Sequence, residues 1–235
     1  MSDPFNILGI IPARGGSKGI PRKNLADVAG KPLIAHSIES GLRSRLLTRL
    51  IVSTEDDEIA RISVEFGAAV PFMRPAELST DGARSLPVVQ HAIEAMEALE
   101  KCTYDVVVLL QPTCPMRTAD DIDRGIELLM ETGADSVVSV VDVGANHPFR
   151  MVKILDDGRL VHIVDQEGSE NMAPRQELPP VYIRSGDLYI ARRHVVMELD
   201  TLVGPDCRAI IIPEERTVNI DTRFDLQRAR ELIRA

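Results

Sequence analysis

Gly9 to Asn24 reads GIIPARGGSKGIPRKN, an apolar run that breaks into a loop of glycines, small residues and cations. Phe5, Ile7, Leu8, Ile10 and Ile11 have the character of a buried strand, and Pro12 stops it where Ala13 to Gly19 begin. The loop therefore falls at a strand's carboxyl end, the edge of an open α/β sheet where ligands bind. Adjacent Gly15 and Gly16 allow successive N–H groups to point at one anion, while Arg14, Lys18, Arg22 and Lys23 concentrate positive charge beside them. A polyphosphate is the natural guest; a sharp solvated turn is the alternative. The string is neither a Walker A loop nor a GxGxxG fingerprint, because Lys18 is followed by Gly19 and the glycine spacing differs from both.

Downstream, Gly30, Lys31 and Pro32 form a turn, and Leu33, Ile34, Ser37, Ile38, Gly41 and Leu42 follow helical spacing. A strand is expected over Leu50 to Thr54. Ser53 to Asp56 then cap a helix with the face Ile59, Ile62 and Phe66, and Gly67 ends it before a third strand, Ala68 to Met73. This β-α-β-α-β alternation with short connections predicts a parallel sheet covered by helices on both faces. Arg74 to Arg84 is a polar loop at the same sheet edge, a plain connector on its residues alone. Ser85 is expected to cap a helix carrying Val88, Val89, Ala92, Ile93, Met96 and Leu99 on one side, with His91 partly exposed.

Asp105 to Leu110 is nearly all apolar, the mark of a central parallel strand. The two prolines of the next loop, Pro112 and Pro115, make it rigid, and Gln111, Thr113 and Arg117 are expected to face the first loop. The other reading is a kinked strand exit. A helix over Ala119 to Thr132 and a strand over Ser136 to Val141 follow. Regular alternation then lapses, and two short apolar segments, Met151 to Leu155 and Leu160 to Val164, flank the turn Asp156, Asp157, Gly158: a projecting β-hairpin. Near the end, Asn219 and Asp221 stand two apart in a strand-like segment, so their side chains can face one cation, or they belong to turn and cap chemistry. Thr222 is a plausible cap for a last helix with Phe224, Leu226, Ala229, Leu232 and Ile233 as its apolar side.

At 235 residues and 44% hydrophobic content the chain suits one large α/β domain, 1–235. A net charge of −9 argues against a nucleic-acid partner, since the basic cluster is confined to one loop. Cys102, Cys114 and Cys207 show no CxxC spacing, which fits a reducing compartment and neither a zinc site nor a disulfide frame. The start MSDPFN has no basic region and no long apolar run, so no signal peptide or membrane span is expected, and a cytoplasmic protein is.

The first loop resembles the N-terminal signature of the CMP-sialic acid synthetases, the acylneuraminate cytidylyltransferases, in which an ARxGSKGxxxKN pattern wraps the triphosphate of CTP. The resemblance implies that Ala13, Arg14, Gly15, Ser17, Lys18, Lys23 and Asn24 bind nucleotide, with Arg14 and Lys23 also catalytic. RPAELSTD, from Arg74, is similar to the segment that lies against the cytosine ring, and LLQPTCPMR to the family's LLQPTSPxR. The latter implies Gln111, Thr113 and Arg117 as a wall for ribose and sugar, Gln111 serving both, with Cys114 where serine is usual. Arg175 to Pro179 resembles the RQxLP motif of a dimerisation arm, inserted here over 144–183. Tyr182 to Arg192 resembles YxxNGxxYxx, beside the sugar acid, with Ser185 in place of asparagine and Asp187 in place of a small residue. The C-terminal stretch is similar to DIDxxxD, whose carboxylates hold Mg²⁺: Asp221 and Asp225 match, and Asn219 replaces the first aspartate.

These similarities imply a three-layer α/β/α nucleotide-binding fold with a mainly parallel sheet and a small projecting dimerisation hairpin. They also imply a homodimeric, Mg²⁺-dependent enzyme that transfers CMP from CTP to the 2-hydroxyl of a sialic-acid-type nonulosonic acid and releases pyrophosphate. Arg175, Gln176, Tyr182 and Ser185 would join the wall residues around that acidic nine-carbon sugar. The rivals are another acid sugar (legionaminate, pseudaminate or an octulosonate) and a nucleotide-binding module with reduced catalysis.

Overall fold

A computed structural model describes residues 5–17, 19–164 and 177–234. In β1 (Ile7–Pro12) strict alternation divides the side chains between two cores, Ile7 and Ile11 on one face of the sheet and Leu8 and Ile10 on the other. A small antiparallel ribbon, β2 (Asp27–Val28) and β3 (Lys31–Pro32), turns through Ala29 and Gly30 at φ 53° and 86° and feeds α1 (Leu33–Leu42). The chain continues as β4 (Arg49–Ser53), α2 (Asp57–Glu65), α3 (Ser85–Glu100), β5 (Val106–Leu109), α4 (Ala119–Thr132) and β6 (Ser136–Asp142). Beyond these lie a two-stranded hairpin, β7 (Val152–Ile154) with β8 (Leu160–His162), then β9 (Tyr182–Arg192), α5 (Arg193–Met197), β10 (Cys207–Ile211) and α6 (Arg223–Arg234).

The central sheet has the order β10-β6-β9-β5-β1-β4, and β9 alone runs against the other strands. Ile34 and Ile38 of α1, Ile59 of α2 and Ile122, Ile126 and Leu129 of α4 cover one face. On the opposite face lie Val89, Ala92, Ile93 and Met96 of α3 with Val195 and Val196 of α5. The result is a three-layer α/β/α fold with a mainly parallel sheet. A third apolar cluster joins Ile20, Val28 and Leu33 from the start of the chain to Val218, Ile220, Leu226 and Ala229 near its end. Among the described residues no helix is long and apolar enough to cross a membrane.

Several local expectations are corrected. Residues 68–73 do not form a third strand: Pro71 has no N–H to donate, and only the single bridges Ile51 to Ala69 and Thr54 to Met73 remain. Ser85 is the first residue of α3, after an Arg84 that makes no side-chain cap bond, and Leu99 is exposed. Thr222 does cap α6, accepting from the Asp225 amide while the Asp225 carboxylate accepts from the Thr222 amide, but this turns Phe224 outward. Residues 193–217, for which no element was foreseen, supply α5 and β10.

The fit of α4 on the sheet is tight at Gly125, where an added Cβ would come within 2.6 Å of Ile190 Cδ1 and 2.8 Å of Leu188 Cδ2. Both obstacles are tips of side chains that move at small cost, and alanine regains roughly 0.5–1 kcal/mol of backbone entropy in a helix. Gly125→Ala should thus be close to neutral in urea unfolding. Gly125→Leu, with no room for further carbons, should lose ~1–3 kcal/mol at an unchanged m-value.

Candidate active site

The loops after β1 and β5, the segment that leads into α3 and the segment before α6 meet around an open groove of about 360 Å³. Arg14, Gly16, Ser17, Lys23, Asn24, Arg74, Gln111, Thr113, Asn219 and Asp221 line it. Residues nearly two hundred positions apart thus converge, as the sequence pattern predicts.

The first loop is anchored at Ala13, whose buried amide donates to Ser53 O at 3.0 Å. Asn24 is also buried, and its Nδ2 donates to Arg14 O at 2.9 Å, so its amide braces the loop. Arg14 donates to Thr80 O at 2.8 Å and pairs with Asp81 at 3.1 Å. The Gly15 amide donates to Glu55 Oε1 at 2.7 Å. Gly16 is exposed and open on its Cβ side, and Ser17 follows it at the groove. Lys18 lies outside the described residues, as do Arg175 and Gln176. Arg22, at φ 54°, ties the loop to the start of α2 by bonding Asp56 and Glu58, and its guanidinium holds the Asp56 carboxyl below the usual carboxylate range.

Lys23 closes the site. Its Nζ donates to Ile220 O at 2.8 Å and to Asp221 Oδ1 at 3.1 Å, fixing the loop against the C-terminal segment. Gly19 packs directly on the Asp221 carbonyl, leaving no space for a side chain. Asp221 remains largely exposed toward the groove, its side chain at 69%. Asp225 instead serves as the helix cap, accepting from the amides of Asp221 and Thr222.

On the second wall Arg74 is buried, with Nη2 on Glu55 at 2.8 Å and Nε on Ser79 Oγ at 3.0 Å. Glu55 therefore joins Arg74 to the first loop through Gly15. Sequence reasoning treated Glu55 only as part of a helix cap; its place at the end of a parallel strand, opposite a basic loop, was the available signal.

Arg117 does not face the first loop. It is buried behind the wall, donating to Asp187 O at 2.6 Å, Ser37 Oγ at 2.7 Å and Gln111 O at 3.3 Å. It fixes the backbone from which Gln111 and Thr113 project. Ser185 is likewise buried and donates to Ser139 Oγ at 2.9 Å, and Tyr182 stands exposed at the other end of the bulged β9, opposite Asp142. Neither lines the groove. Cys114 is buried, and burial pushes its thiol up to about 12, so it stays protonated at neutral pH.

Fold and groove together define a nucleotide-binding α/β protein with a cationic loop at the sheet's carboxyl edge. The family model described as cytidylyltransferase matches residues 8–221, and the chain belongs to that family. It is 33% identical to pseudaminic acid cytidylyltransferase from Campylobacter jejuni, over 96% of this chain and 95% of that protein. It is also 33% identical to CMP-N,N'-diacetyllegionaminic acid synthase from Legionella pneumophila, over 94% and 93%. The fold matches the structure of CMP:2-keto-3-deoxy-manno-octonic acid synthetase complexed with CTP at a TM-score of 0.70, with 21% identity over 97% of this chain and 98% of that one.

One group behind the groove is costly. Asp187 is 1% exposed, and neither carboxylate oxygen has a hydrogen-bond partner among the described residues. Burial raises its carboxyl above the usual range, against smaller opposing pulls from the nearby Ser185 hydroxyl and from Arg117. Between the ordinary aspartate value and the raised one, the unfolded chain releases this proton and the folded chain keeps it, so the group's contribution to stability falls as pH rises. Asp187→Asn should therefore be more stable than wild type at pH 7, by ~1 kcal/mol or more. The difference in urea unfolding should shrink as pH falls toward the ordinary aspartate range; a difference constant with pH would show that Asp187 does not titrate in this way.

Proposed function

We propose that this cytidylyltransferase moves CMP from CTP to the 2-hydroxyl of a nonulosonic acid, releasing pyrophosphate. The observation that carries the reading is the convergence of the first loop, Gln111, Thr113 and Asp221 on one groove, in a chain that spans nearly the full length of two relatives named for nonulosonic acids. Those names favour a pseudaminic or legionaminic type of acid over N-acylneuraminate as the acceptor.

Such a transfer needs the triphosphate's charge neutralised, the α-phosphorus held in line with the incoming hydroxyl, and pyrophosphate stabilised as it leaves. Arg14 and the amides of the first loop meet the first need once the triphosphate displaces Asp81 and Glu55. Lys23 stands beside Asp221 and meets charge that develops on the leaving oxygens. Gln111 and Thr113, braced by Arg117, orient the ribose and the acceptor. Asp221 and the amide oxygen of Asn219 fit a magnesium ion of the open kind, held by one or two protein oxygens and completed by substrate phosphates and water. No group of three or more His, Cys, Asp or Glu side chains forms a closed metal cage among the described residues. Magnesium held there supplies charge neutralisation and a more acidic acceptor hydroxyl.

Pyrophosphate release with CTP and a panel of nonulosonic acids tests this reading. Turnover is expected with pseudaminate or legionaminate above N-acetylneuraminate and octulosonate, lost on chelation and restored by Mg²⁺. Absence of turnover with every acid, despite CTP binding, would leave a nucleotide-binding module in place of the enzyme.

The same reading includes a homodimer. Val152, Ile154, Leu160 and Ile163 of the hairpin are exposed, as are Tyr182 and Ile183 where β9 begins. So much neighbouring apolar surface calls for a cover, and a two-fold copy of the chain provides one. Light scattering should give twice the chain mass, and Ile154→Asp with Leu160→Asp should shift it to the monomer.

A further inference from the structure

Four cations line the groove among the described residues: Arg14, Lys23, Arg74 and Arg84. Three of them are matched by carboxylates of the chain, Arg14 by Asp81 at 3.1 Å, Lys23 by Asp221 at 3.1 Å and Arg74 by Glu55 at 2.8 Å. Arg84 makes no hydrogen bond or ion pair with any described residue, and its side chain does not cap the helix it precedes. The chain has 36 acidic residues against 27 basic ones, so carboxylates are plentiful, and none of the described ones pairs with this guanidinium. No acidic residue lies in the first turn of α3 either.

The backbone places Arg84 on the same turn as Arg14. Thr80 O accepts from Arg14 Nη1 at 2.8 Å and from the Ala83 amide at 3.1 Å, and Arg84 is the next residue. Arg14 is thus bonded to the turn that Arg84 follows, and both residues line the groove. An unmatched arginine at that place suits an anionic oxygen of a bound ligand, since planar paired N–H donors are well shaped for phosphate. Resting on the function proposed above, we infer that Arg84 is a further substrate-binding residue, which contacts the phosphate chain of the nucleotide from the side opposite Lys23. Arg14 loses Asp81 when phosphate arrives; Arg84 has nothing to lose, so its contact is not offset by a broken ion pair.

Calorimetric titration of the full chain tests this with CTP, cytidine and inorganic tripolyphosphate, each at low and high salt. Arg84→Ala should weaken CTP and tripolyphosphate by about tenfold or more and leave cytidine unchanged. Its salt dependence for CTP should be shallower than that of wild type, and Arg84→Lys should recover part of the loss. The melting temperature should hardly move, because the side chain makes no hydrogen bond or ion pair with any described residue. Unchanged CTP and tripolyphosphate binding in Arg84→Ala would overturn the inference and leave the cytidylyltransferase reading standing. An equal loss for cytidine overturns it in favour of a ribose or base contact, and a loss confined to the KM of the acid sugar overturns it in favour of the sugar carboxylate. If wild type shows no preference for CTP yet binds tripolyphosphate in an Arg84-dependent way, Arg84 is a phosphate contact, but the nucleotide reading falls and the inference with it. Failure of wild type to bind either would remove both.

Discussion

The site depends on closure of the N-terminal loop onto the segment before the last helix. Lys23 reaches Ile220 O and Asp221, Gly19 packs on the Asp221 carbonyl, and the Ile220 amide donates to Thr113 O at 2.9 Å. Residues 220 and 221 thereby join the loops after β1 and β5. The exposed Lys23–Asp221 pair contributes only ~0–1 kcal/mol to this closure. The cluster of Ile20, Val28, Leu33, Val218, Ile220, Leu226 and Ala229 carries far more, since each large apolar side chain buried adds roughly 1.5–3 kcal/mol. Closure is thus secured by apolar packing beneath the groove. The ionic groups above are left free to exchange partners.

That division explains how an acidic chain maintains a cationic groove. In the function proposed above, Asp81 and Asp221 hold the places that ligand charge takes over, on Arg14 and on Lys23. Exposed pairs of this kind are weak, so phosphate can replace a carboxylate at small cost, while in its absence the carboxylates keep like charges from repelling one another. The buried arginines behave differently. Arg74 and Arg117 are each held by several oxygens, and removal of either leaves buried acceptors unpaired, so they shape the walls and do not exchange.

Much of this architecture was legible from local pattern. The run before Pro12 and the capped helix from Ala119 to Thr132 appear with the expected bounds or within a residue or two, because apolar periodicity and punctuation agree at those places. The segment 68–73 misled because its apolar content suggests a strand that Pro71 cannot complete. The strand β10 was not foreseen although Ala209 to Ile212 is an apolar run closed by Pro213. At the site, the basic loop and its meeting with Asp221 were foreseen through resemblance. The inward turn of Arg117 and the bracing roles of Asn24 and Glu55 were not, since a polar residue in a motif looks the same in sequence whether it faces ligand or backbone.

The departure at Asn219 is consistent with the charges around it. Lys23 already neutralises Asp221, so the pair presents no net charge to the groove. A carboxylate at 219 would add one negative charge beside that neutral pair. The amide avoids that cost and also suits its neighbours: a Cβ at Gly186 would lie 3.1 Å from Gln111 Oε1 and 3.6 Å from Asn219 Nδ2, so these two amides approach the same glycine from the groove. Gly186 holds φ at 85°, a value that side chains resist, and its missing Cβ leaves the space into which both amides lean. A neutral amide at that point can donate as well as accept, which a carboxylate, an acceptor alone, cannot do. In the function proposed above, Asn219 thus brings to the metal a neutral oxygen and no charge, and Asp221 is the principal carboxylate that would hold it.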